Sequence, residues 1–330
     1  MATVDVLILT RIGENFGLGH FKRSKVLEKF LNDNSINTKV LNILDIDDSI
    51  ISNSGVIMFD AREVDEYFVN HLLSKNKKLI SLDDSETYKP YLVSVMSLPY
   101  VRIYGPSPNF EGYDYLILDP ALGEIDSKSD ELELVVTFGG EDPRGLTLVF
   151  LEKFSKVFEG NNSGVIIGEL FRNKEVIRDI CSSRGIKVFE GVPLYEIIAS
   201  SRVVVTSFGM TLYESLVLGK SVILFNSSRY HHDLFKCSGL EEKYNVFEVG
   251  FCEGPGVVIT GDLNDMSFSD MKKGRFEVNV FSNLNRWKMI FERVIDLRIQ
   301  VKEMSGSKVT KRFPNKTDFL VQGRDISICF

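Results

Sequence analysis

The sequence predicts an α/β fold in two domains, each built from a parallel sheet with helices on both faces. Short apolar runs alternate with amphipathic stretches along the 330 residues, which is the pattern of repeated βαβ units. A length of about 150 residues per domain also gives two domains. A polar stretch, Gly123 to Glu131, separates two series that each begin with a strand, a glycine loop and a helix. We therefore predict two Rossmann-like domains with a cleft between them, at 1–125 and 126–300, and a C-terminal tail at 301–330.

Three apolar runs predict buried strands in the first half. A strand that helices cover on both faces is apolar almost throughout, and these runs are. Helices are predicted after the first glycine loop and from Glu63 to Ser74, and a further apolar run, Tyr115 to Pro120, ends this half. The three runs are VDVLILT (Val4–Thr10), GVIMFD (Gly55–Asp60) and KLISLDD (Lys78–Asp84).

The second half repeats the pattern of the first. LELVVTF predicts a strand, GGEDPRG a glycine loop and LTLVFLEKFSKVF a helix, and GVIIG, IKVFEG, RVVVTS and SVILF predict further strands. Ligands of open α/β sheets bind at the carboxyl ends of the strands. The polar motifs described below all follow predicted strands, so we expect them to lie together along the cleft.

The composition argues against several classes of protein. A net charge of -7 and a pI near 5.3 give no basic surface for nucleic acid or an anionic membrane. No apolar run approaches the ~20 residues that span a bilayer, and the N-terminus lacks the pattern of a signal peptide. The four cysteines form no C-x-x-C pair, which favours reduced thiols. We expect a cytoplasmic protein with no nucleic-acid partner and no integral membrane segment.

The first motif is Gly17-Leu18-Gly19-His20, between a predicted strand and a predicted helix. Glycines allow a tight turn and close approach of a ligand, and the amide groups at a helix N-terminus suit phosphate. A histidine there can act as a base near neutral pH, or it can be a polar residue of the turn. A full G-x-G-x-x-G is absent, so a nicotinamide dinucleotide site is not favoured.

Two similar motifs occur in the second half. Gly139-Gly140-Glu141-Asp142-Pro143 follows a strand and fits either a ligand-binding turn or an ordinary tight turn. The run from Thr206 to Glu214, TSFGMTLYE, places small residues at the start of a helix. Its first amide groups can hold a diphosphate, and a carboxylate one turn later can accept ribose hydroxyls. An N-cap followed by a surface glutamate is the alternative.

Three further polar clusters follow strands. Asp60-Ala61-Arg62 and Asp83-Asp84 either face the cleft or cap the next helix. Tyr230-His231-His232-Asp233 follows SVILF, but adjacent side chains point apart and no third ligand has suitable spacing. A metal site is therefore not favoured there.

Taken in order, these motifs resemble one family. They are G-x-G-H, D-x-R, a D-D strand end, G-G-x-D-P and S-x-G-x-T-x-x-E, over roughly Val4 to Tyr244. The set is similar to the UDP-sugar hydrolase of the pseudaminic acid pathway and to the SpsG-type proteins of spore-coat and surface polysaccharide synthesis. These are relatives of GT-B glycosyltransferases such as MurG.

The resemblance implies a GT-B fold in which residues 126–300 hold UDP and residues 1–125 hold the sugar or acceptor. It makes His20 the base that activates the water displacing UDP from the anomeric carbon. It implies that the start of the TSFGMTLYE helix binds the diphosphate and that Glu214 binds the ribose. It implies no cofactor and no metal. The substrate-binding residues it implies are Gly17, Gly19, Asp60, Arg62, Gly139, Gly140, Asp142, Ser207, Gly209, Met210, Thr211, Glu214 and His232.

Two positions depart from the family pattern. Met210 stands where a second glycine is usual, and its side chain would crowd the phosphates. His231-His232 replaces an N-Q pair in a region that touches the sugar, so the identity of the sugar stays open.

We expect an enzyme that hydrolyses a UDP-linked amino or deoxy sugar in surface glycan or nonulosonic acid biosynthesis, beside neighbouring sugar-biosynthesis enzymes. A glycosyltransferase would use the same UDP contacts, with an acceptor hydroxyl in place of water. A non-catalytic nucleotide-sugar binding protein would tolerate the loss of His20.

Overall fold

Two parallel-sheet domains make up the described part of the chain. The computed structural model describes residues 4–11, 18–61, 64–85, 91–102, 107–125, 131–263, 268, 271 and 276–297. Within these residues the predicted fold class is confirmed: an α/β protein of two Rossmann-like domains with a cleft between them. The boundaries at 125/126 and 300/301 stay predictions.

The first domain is a six-stranded parallel sheet in the order β2-β1-β3-β4-β5-β6. Its central strands are almost wholly buried, because helices cover both faces of a parallel sheet. The strands are β1 (Val4–Thr10), β2 (Thr38–Asn42), β3 (Ser54–Asp60), β4 (Lys78–Leu82), β5 (Val93–Met96) and β6 (Phe110–Glu111). The helices are α1 (Gly19–Asp33), α2 (Asp48–Ser52) and α3 (Glu66–Ser74), with 3₁₀ turns at Ile43–Asp45, Tyr113–Tyr115 and Pro120–Glu124.

The second domain is a seven-stranded sheet in the order β13-β12-β11-β10-β7-β8-β9. All its neighbours are parallel except β13, which pairs antiparallel with β12. The strands are β7 (Leu132–Val136), β8 (Ser163–Ile167), β9 (Lys187–Glu190), β10 (Ser201–Thr206), β11 (Ser221–Asn226), β12 (Val246–Glu253) and β13 (Gly256–Ile259). The helices are α4 (Leu146–Lys153), α5 (Lys174–Ser183), α6 (Leu194–Ala199), α7 (Met210–Val217), α8 (Arg229–Ser238), α9 (Leu240–Lys243) and α10 (Val280–Asp296), with a 3₁₀ turn at Ser155–Phe158.

The last helix, α10, packs against the first domain although it follows the second in the chain. It contacts α1, β3 and the 3₁₀ turns near residue 115. The side chain of Asn283 donates to the carbonyl of Tyr113 at 2.8 Å, and the indole of Trp287 donates to the carbonyl of Tyr115 at 2.9 Å. Trp287 is fully buried, so these bonds lie within the core and fix the helix in one register.

The sequence did not predict every element correctly. The run from Tyr115 to Pro120 is not a strand, although its apolar side chains are buried. Five strands, β2, β5, β6, β12 and β13, escaped prediction, since most are short or carry polar residues. The predicted helix from Leu146 ends at Lys153, and a 3₁₀ turn continues to Phe158.

One buried cluster joins the two domains. Phe208 and Leu212 of the second domain belong to the same core as Leu27 of the first. The rings of Tyr113 and Tyr213 meet across this boundary, with centroids 5.4 Å apart. Packing of this kind holds the carboxyl ends of both sheets toward a shared cleft. In the described part of the chain, none of the helices combines the length and apolar character that crossing a bilayer requires.

Candidate functional site

His20 lies in the first turn of α1 and pairs with Asp60, the last residue of β3. Its Nδ1 lies 2.7 Å from Asp60 Oδ1, and the carboxylate is fully buried while a quarter of the imidazole is exposed. A carboxylate only accepts, so Nδ1 carries the proton in this bond. The Nε2 atom makes no hydrogen bond to any described residue. Nε2 is therefore the nitrogen of His20 that stays available for a further contact.

Arg23 and Ser24, one turn further along α1, hold the other side of Asp60. Arg23 Nε and Ser24 Oγ donate to Asp60 Oδ2 at 2.9 Å and 2.8 Å. Arg23 Nη1 also donates to Asp83 Oδ2 at 2.7 Å. Asp83 follows β4 with a φ of 56° and accepts the backbone N–H of Ser97 at 2.7 Å. One buried guanidinium thus links the ends of β3 and β4.

Electrostatics keep this cluster ionised. Burial opposes ionisation of Asp60, but Arg23 and His20 outweigh it and hold the pKa of the carboxyl well below its usual range. Burial likewise disfavours charge on Arg23, and Asp60 with Asp83 reverse this and raise its pKa. Two carboxylates and one guanidinium carry one net negative charge beside His20. A proton taken up at Nε2 makes the group neutral.

The start of α1 faces the second domain. A Cβ atom built on Gly140 would lie 2.9 Å from Leu18 Cδ1, and one built on Gly19 would lie 3.7 Å from Met210 Cγ. The loop before α1 therefore meets the turn after β7 and the start of α7. Met210 packs across the domain boundary and is partly buried.

The turn after β7 is held from within the second domain. Asp142 has a φ of 45° and accepts the backbone N–H groups of Leu146 and Thr147 at 2.7 and 2.9 Å, so it caps α4. Burial raises the pKa of Asp142, and these amide bonds partly oppose the rise. A Cβ atom on Gly168 would lie 2.5 Å from the carbonyl oxygen of Gly139. Only glycine at that position allows the turn to lie where it does.

The start of α7 is open, like the start of α1. Leu18 and Gly209 are the N-cap residues of the two helices, and neither provides a side-chain cap. Neither helix has an acidic residue in its first turn. The N-cap side chains of α3, α8 and α10, which are Asp65, Ser228 and Asn279, do bind their helices, whereas the N-cap residues of α4, α5, α6 and α9 also provide no side-chain cap. The first N–H groups of α1 and α7 therefore have no helical partner, and the dipoles are positive there.

Side chains from β11 fix the loop that leads into α7. Asn226 Oδ1 accepts the backbone N–H of Phe208 at 2.7 Å, and Ser207 Oγ accepts the N–H of Ser227 at 3.2 Å. Asn226 is fully buried, and its Nδ2 donates to Glu248 Oε1 at 2.6 Å. The loop before Gly209 is thus held by neighbouring strands.

Glu214 lies one turn into α7 and is partly buried. The hydroxyl of Tyr195 donates to Glu214 Oε1 at 3.0 Å. Burial raises the pKa of Glu214, and the Tyr195 hydrogen bond, the charge of Lys22 and Thr211 oppose the rise. Burial and the negative charges of Glu214 and Asp119 raise the pKa of Tyr195. This carboxylate therefore sits between the two domains with a polar environment on both sides.

The two adjacent histidines of α8 have different partners. His232 Nδ1 lies 2.6 Å from Glu248 Oε2, and its ring stacks on Phe251 at 4.5 Å between centroids. His231 Nδ1 lies 2.8 Å from Ser228 Oγ. The described residues contain no group of three His, Cys, Asp or Glu side chains that could hold a metal ion.

The structure brings Gly19 close to Met210 and Gly140 close to Leu18 across the domain boundary, and it brings Asp60 to His20. Gly17 and Arg62 lie outside the described residues. Asp60 touches His20, and Asp142 caps a helix, so the contacts of both are with protein groups. Sequence reasoning missed five residues that hold these groups in place: Arg23, Ser24, Gly168, Asn226 and Glu248. It did single out Asp83, which binds Arg23, as the end of a strand.

Comparisons with known proteins give a partial relative and similar folds. No protein-family model matches the chain. Over 202 residues it is 26% identical to an uncharacterized protein of Methanocaldococcus jannaschii, MJ1062, covering 54% of this chain and 42% of that protein. The chain thus spans less than half the length of this relative.

Three solved structures illustrate the similarity of fold. UGT89C1 of Arabidopsis thaliana, in complex with UDP, is 10% identical over 87% of this chain and 99% of its own, with a TM-score of 0.49. MurG of Acinetobacter baumannii is 9% identical over 88% and 94%, with a TM-score of 0.44. The spinosyn rhamnosyltransferase SpnG, with thymidine diphosphate, is 9% identical over 74% and 86%, with a TM-score of 0.48.

Proposed function

We propose that the chain is a nucleotide-sugar hydrolase that releases UDP from a UDP-linked sugar by attack of water at the anomeric carbon. One observation carries the proposal: two uncapped helix N-termini, from α1 and α7, meet at the cleft beside a histidine held by a buried carboxylate. The helix ends suit a diphosphate, and the histidine suits the activation of water.

The convergence of the two helix ends favours an anion between them. Both ends carry a partial positive charge and free N–H groups. Their first turns contain no acidic residue that would neutralise them. A diphosphate supplies the missing negative charge, and positions 19 and 209 carry no side chain. Met210, whose Cγ lies 3.7 Å from a Cβ built on Gly19, must turn away for the diphosphate oxygens to reach the backbone.

The histidine can act as a general base through Nε2. In the proposed step, Nε2 of His20 takes a proton from water while the water oxygen forms a bond to the anomeric carbon. The bond from that carbon to the phosphate oxygen breaks, and its electron pair leaves with UDP. Asp60 keeps the proton of His20 on Nδ1, so the lone pair of Nε2 is available. The imidazolium then balances the one net negative charge of Asp60, Asp83 and Arg23, so that the four groups together are neutral.

The nucleoside and sugar are assigned from the family resemblance. In this proposal Glu214, one turn into α7, accepts ribose hydroxyls through its carboxylate. The motifs favour an amino or deoxy sugar in surface glycan or nonulosonic acid biosynthesis, with neighbouring biosynthetic enzymes as partners. Gly139, Gly140, Ser207, Met210, Thr211 and His232 line the cleft in this proposal.

The test begins with binding and ends with turnover. A ligand at 100 times its dissociation constant adds ~2.7 kcal/mol to the free energy of unfolding. We expect UDP to raise the melting temperature more than CMP or GDP does, and UDP-sugars to yield free sugar and UDP. We expect His20→Ala to lower kcat by about 10²–10⁴-fold with UDP binding retained. His71→Ala is the matched control, because His71 is an exposed histidine of α3 paired with Asp48.

Each alternative has its own signature in this experiment. A glycosyltransferase releases UDP only when an acceptor hydroxyl is added. A binding protein gives a UDP shift but no turnover, and it is unaffected by His20→Ala. A chain that no nucleoside diphosphate stabilises contradicts the proposal as a whole.

A further inference from the structure

We propose that Glu248 is a positioning residue for the nucleotide side of the cleft. One buried carboxylate holds two groups there, the backbone loop before Gly209 and the imidazole of His232, which presents its Nε2 to the ligand. The proposal rests on the proposed function, because that function makes this loop the diphosphate site.

A continuous chain of hydrogen bonds links Glu248 to the loop. Glu248 Oε1 accepts from Asn226 Nδ2 at 2.6 Å, and Asn226 Oδ1 accepts from the N–H of Phe208 at 2.7 Å. Asn226 is fully buried and the side chain of Glu248 is 1% exposed. Since Glu248 uses the donor end of the Asn226 amide, its acceptor end must face Phe208. The carboxylate thereby decides which way the amide points.

The second oxygen of Glu248 holds the histidine. His232 Nδ1 lies 2.6 Å from Glu248 Oε2, and the ring stacks on Phe251 at an angle of 30°. Two contacts of this kind fix both the position and the plane of the imidazole. Nε2 has no partner among the described residues, and 17% of the side chain is exposed. It remains available to a ligand.

An irregularity in the sheet lies beside Glu248. The pairing of β11 with β12 shifts register between Leu224 and Phe225, so that Leu224 lies opposite Glu248 and Phe225 opposite Gly250. A bulge of this type redirects side chains and occurs often beside functional sites. Here it accompanies a buried carboxylate at the end of the sheet that faces the cleft.

The first experiment needs no ligand. In ¹⁵N-labelled protein, Glu248→Gln is expected to change the ring ¹⁵N shifts of His232 and the amide shift of Phe208, because the new side-chain amide donates where the carboxylate accepted. The matched control is Glu253→Gln, which removes an exposed carboxylate of the same strand that pairs with Arg229. It is expected to leave both signals in place. Unchanged signals in Glu248→Gln overturn the proposal.

The second experiment is a UDP titration of the same variants. Glu248→Gln is expected to bind UDP at least about tenfold more weakly, the loss that one charge-assisted hydrogen bond implies. His232→Gln, at a partly exposed position, is a second variant if Glu248→Gln does not fold. It is expected to weaken UDP binding while the Phe208 amide signal stays unchanged.

The outcomes separate the two proposals. Wild-type affinity in Glu248→Gln or in His232→Gln overturns the role of Glu248 and leaves the nucleotide site standing. If Glu253→Gln weakens UDP binding equally, the role of Glu248 is overturned as well, since the effect would then come from the loss of any negative charge on this strand. A wild-type chain that binds no nucleoside diphosphate overturns the proposed function and this inference together.

Discussion

In each domain a histidine donates a hydrogen bond from Nδ1 to a buried carboxylate. We call the residues around these two pairs the first and the second wall of the proposed cleft. On the first wall His20 pairs with Asp60 at 2.7 Å, and on the second His232 pairs with Glu248 at 2.6 Å. The carboxylates differ in their other partners. Asp60 is bound by the cation of Arg23, whereas Glu248 is bound by the neutral amide of Asn226.

This difference gives the two carboxylates different roles: Asp60 belongs to a group that balances charge, and Glu248 fixes the positions of its neighbours. Around Asp60, two carboxylates and a guanidinium form a charged cluster that can balance a proton gained by His20. Around Glu248, the bonds lead through Asn226 to a backbone amide, so the carboxylate mainly fixes geometry. We therefore expect substitutions around Asp60 to lower kcat and substitutions around Glu248 to weaken nucleotide binding.

The largest expected effect comes from Asp60→Asn. The new amide donates to His20 Nδ1, so Nε2 carries the proton and cannot accept one from water. We expect most of the 10²–10⁴-fold contribution of the base to kcat to be lost, with UDP affinity retained. A Glu248→Gln variant that lowered kcat as much as Asp60→Asn, at unchanged KM, would break the distinction between the walls.

The same variant has a pH signature in stability. Removing one partner of a buried ion pair costs about 3 kcal/mol in the free energy of unfolding. The folded-state pKa of Asp60 is depressed, so its stabilisation is present above the unfolded pKa of about 4. It is lost only as the pH falls through the depressed value. Thermal unfolding of wild type and variant should differ at neutral pH and converge in strong acid.

A second effect tests whether the two walls are independent. In Gly168→Ala the new methyl group would lie 2.5 Å from the carbonyl of Gly139, within the second wall alone. In Gly140→Ala it would lie 2.9 Å from the flexible end of Leu18, which belongs to the first. We expect Gly168→Ala to cost about 1–3 kcal/mol and Gly140→Ala less, because Leu18 can move. Denaturant unfolding measures both, and equal losses would show that the turn depends on the first wall.

The smallest effect concerns Glu214, between the walls. Burial raises its folded-state pKa, so the stability of the wild type falls as the pH rises from the ordinary carboxylate value through the raised one. Glu214→Gln should remove this fall and gain up to about 0.5 kcal/mol at neutral pH, while UDP affinity decreases. Glu241→Gln, at an exposed site paired with Lys236, should do neither. A loss of stability in Glu214→Gln would contradict this picture.

The sequence predicted the alternation of strands and helices, and it predicted that His20 lies at the start of a helix. The predicted strand Val4–Thr10 matched the structure at both ends, whereas the strand predicted for Lys78–Asp84 ends at Leu82. The short strands were missed because TKVLN and VSVM mix polar and apolar residues. Such runs become strands only through pairing with longer neighbours.

The supporting residues were harder to predict, for different reasons. Arg23 and Ser24 left a signal, since they share the buried face of α1 with Leu27 and Leu31, where apolar residues are the rule. The position of Glu248 depends on an irregular pairing of two strands, which no local pattern encodes. The cap formed by Asp142 depends on its left-handed backbone, which the sequence leaves open among several turn types.

The packing of α10 on the first domain has a mechanical consequence. Because this helix returns to the domain where the chain began, the backbone must cross between the domains twice, before Leu132 and again before Val280. Because the chain joins the domains at two points, rotation of one domain relative to the other is restricted to an axis that passes near both points. Any such rotation would also separate the rings of Tyr113 and Tyr213, whose centroids lie 5.4 Å apart across the domain boundary.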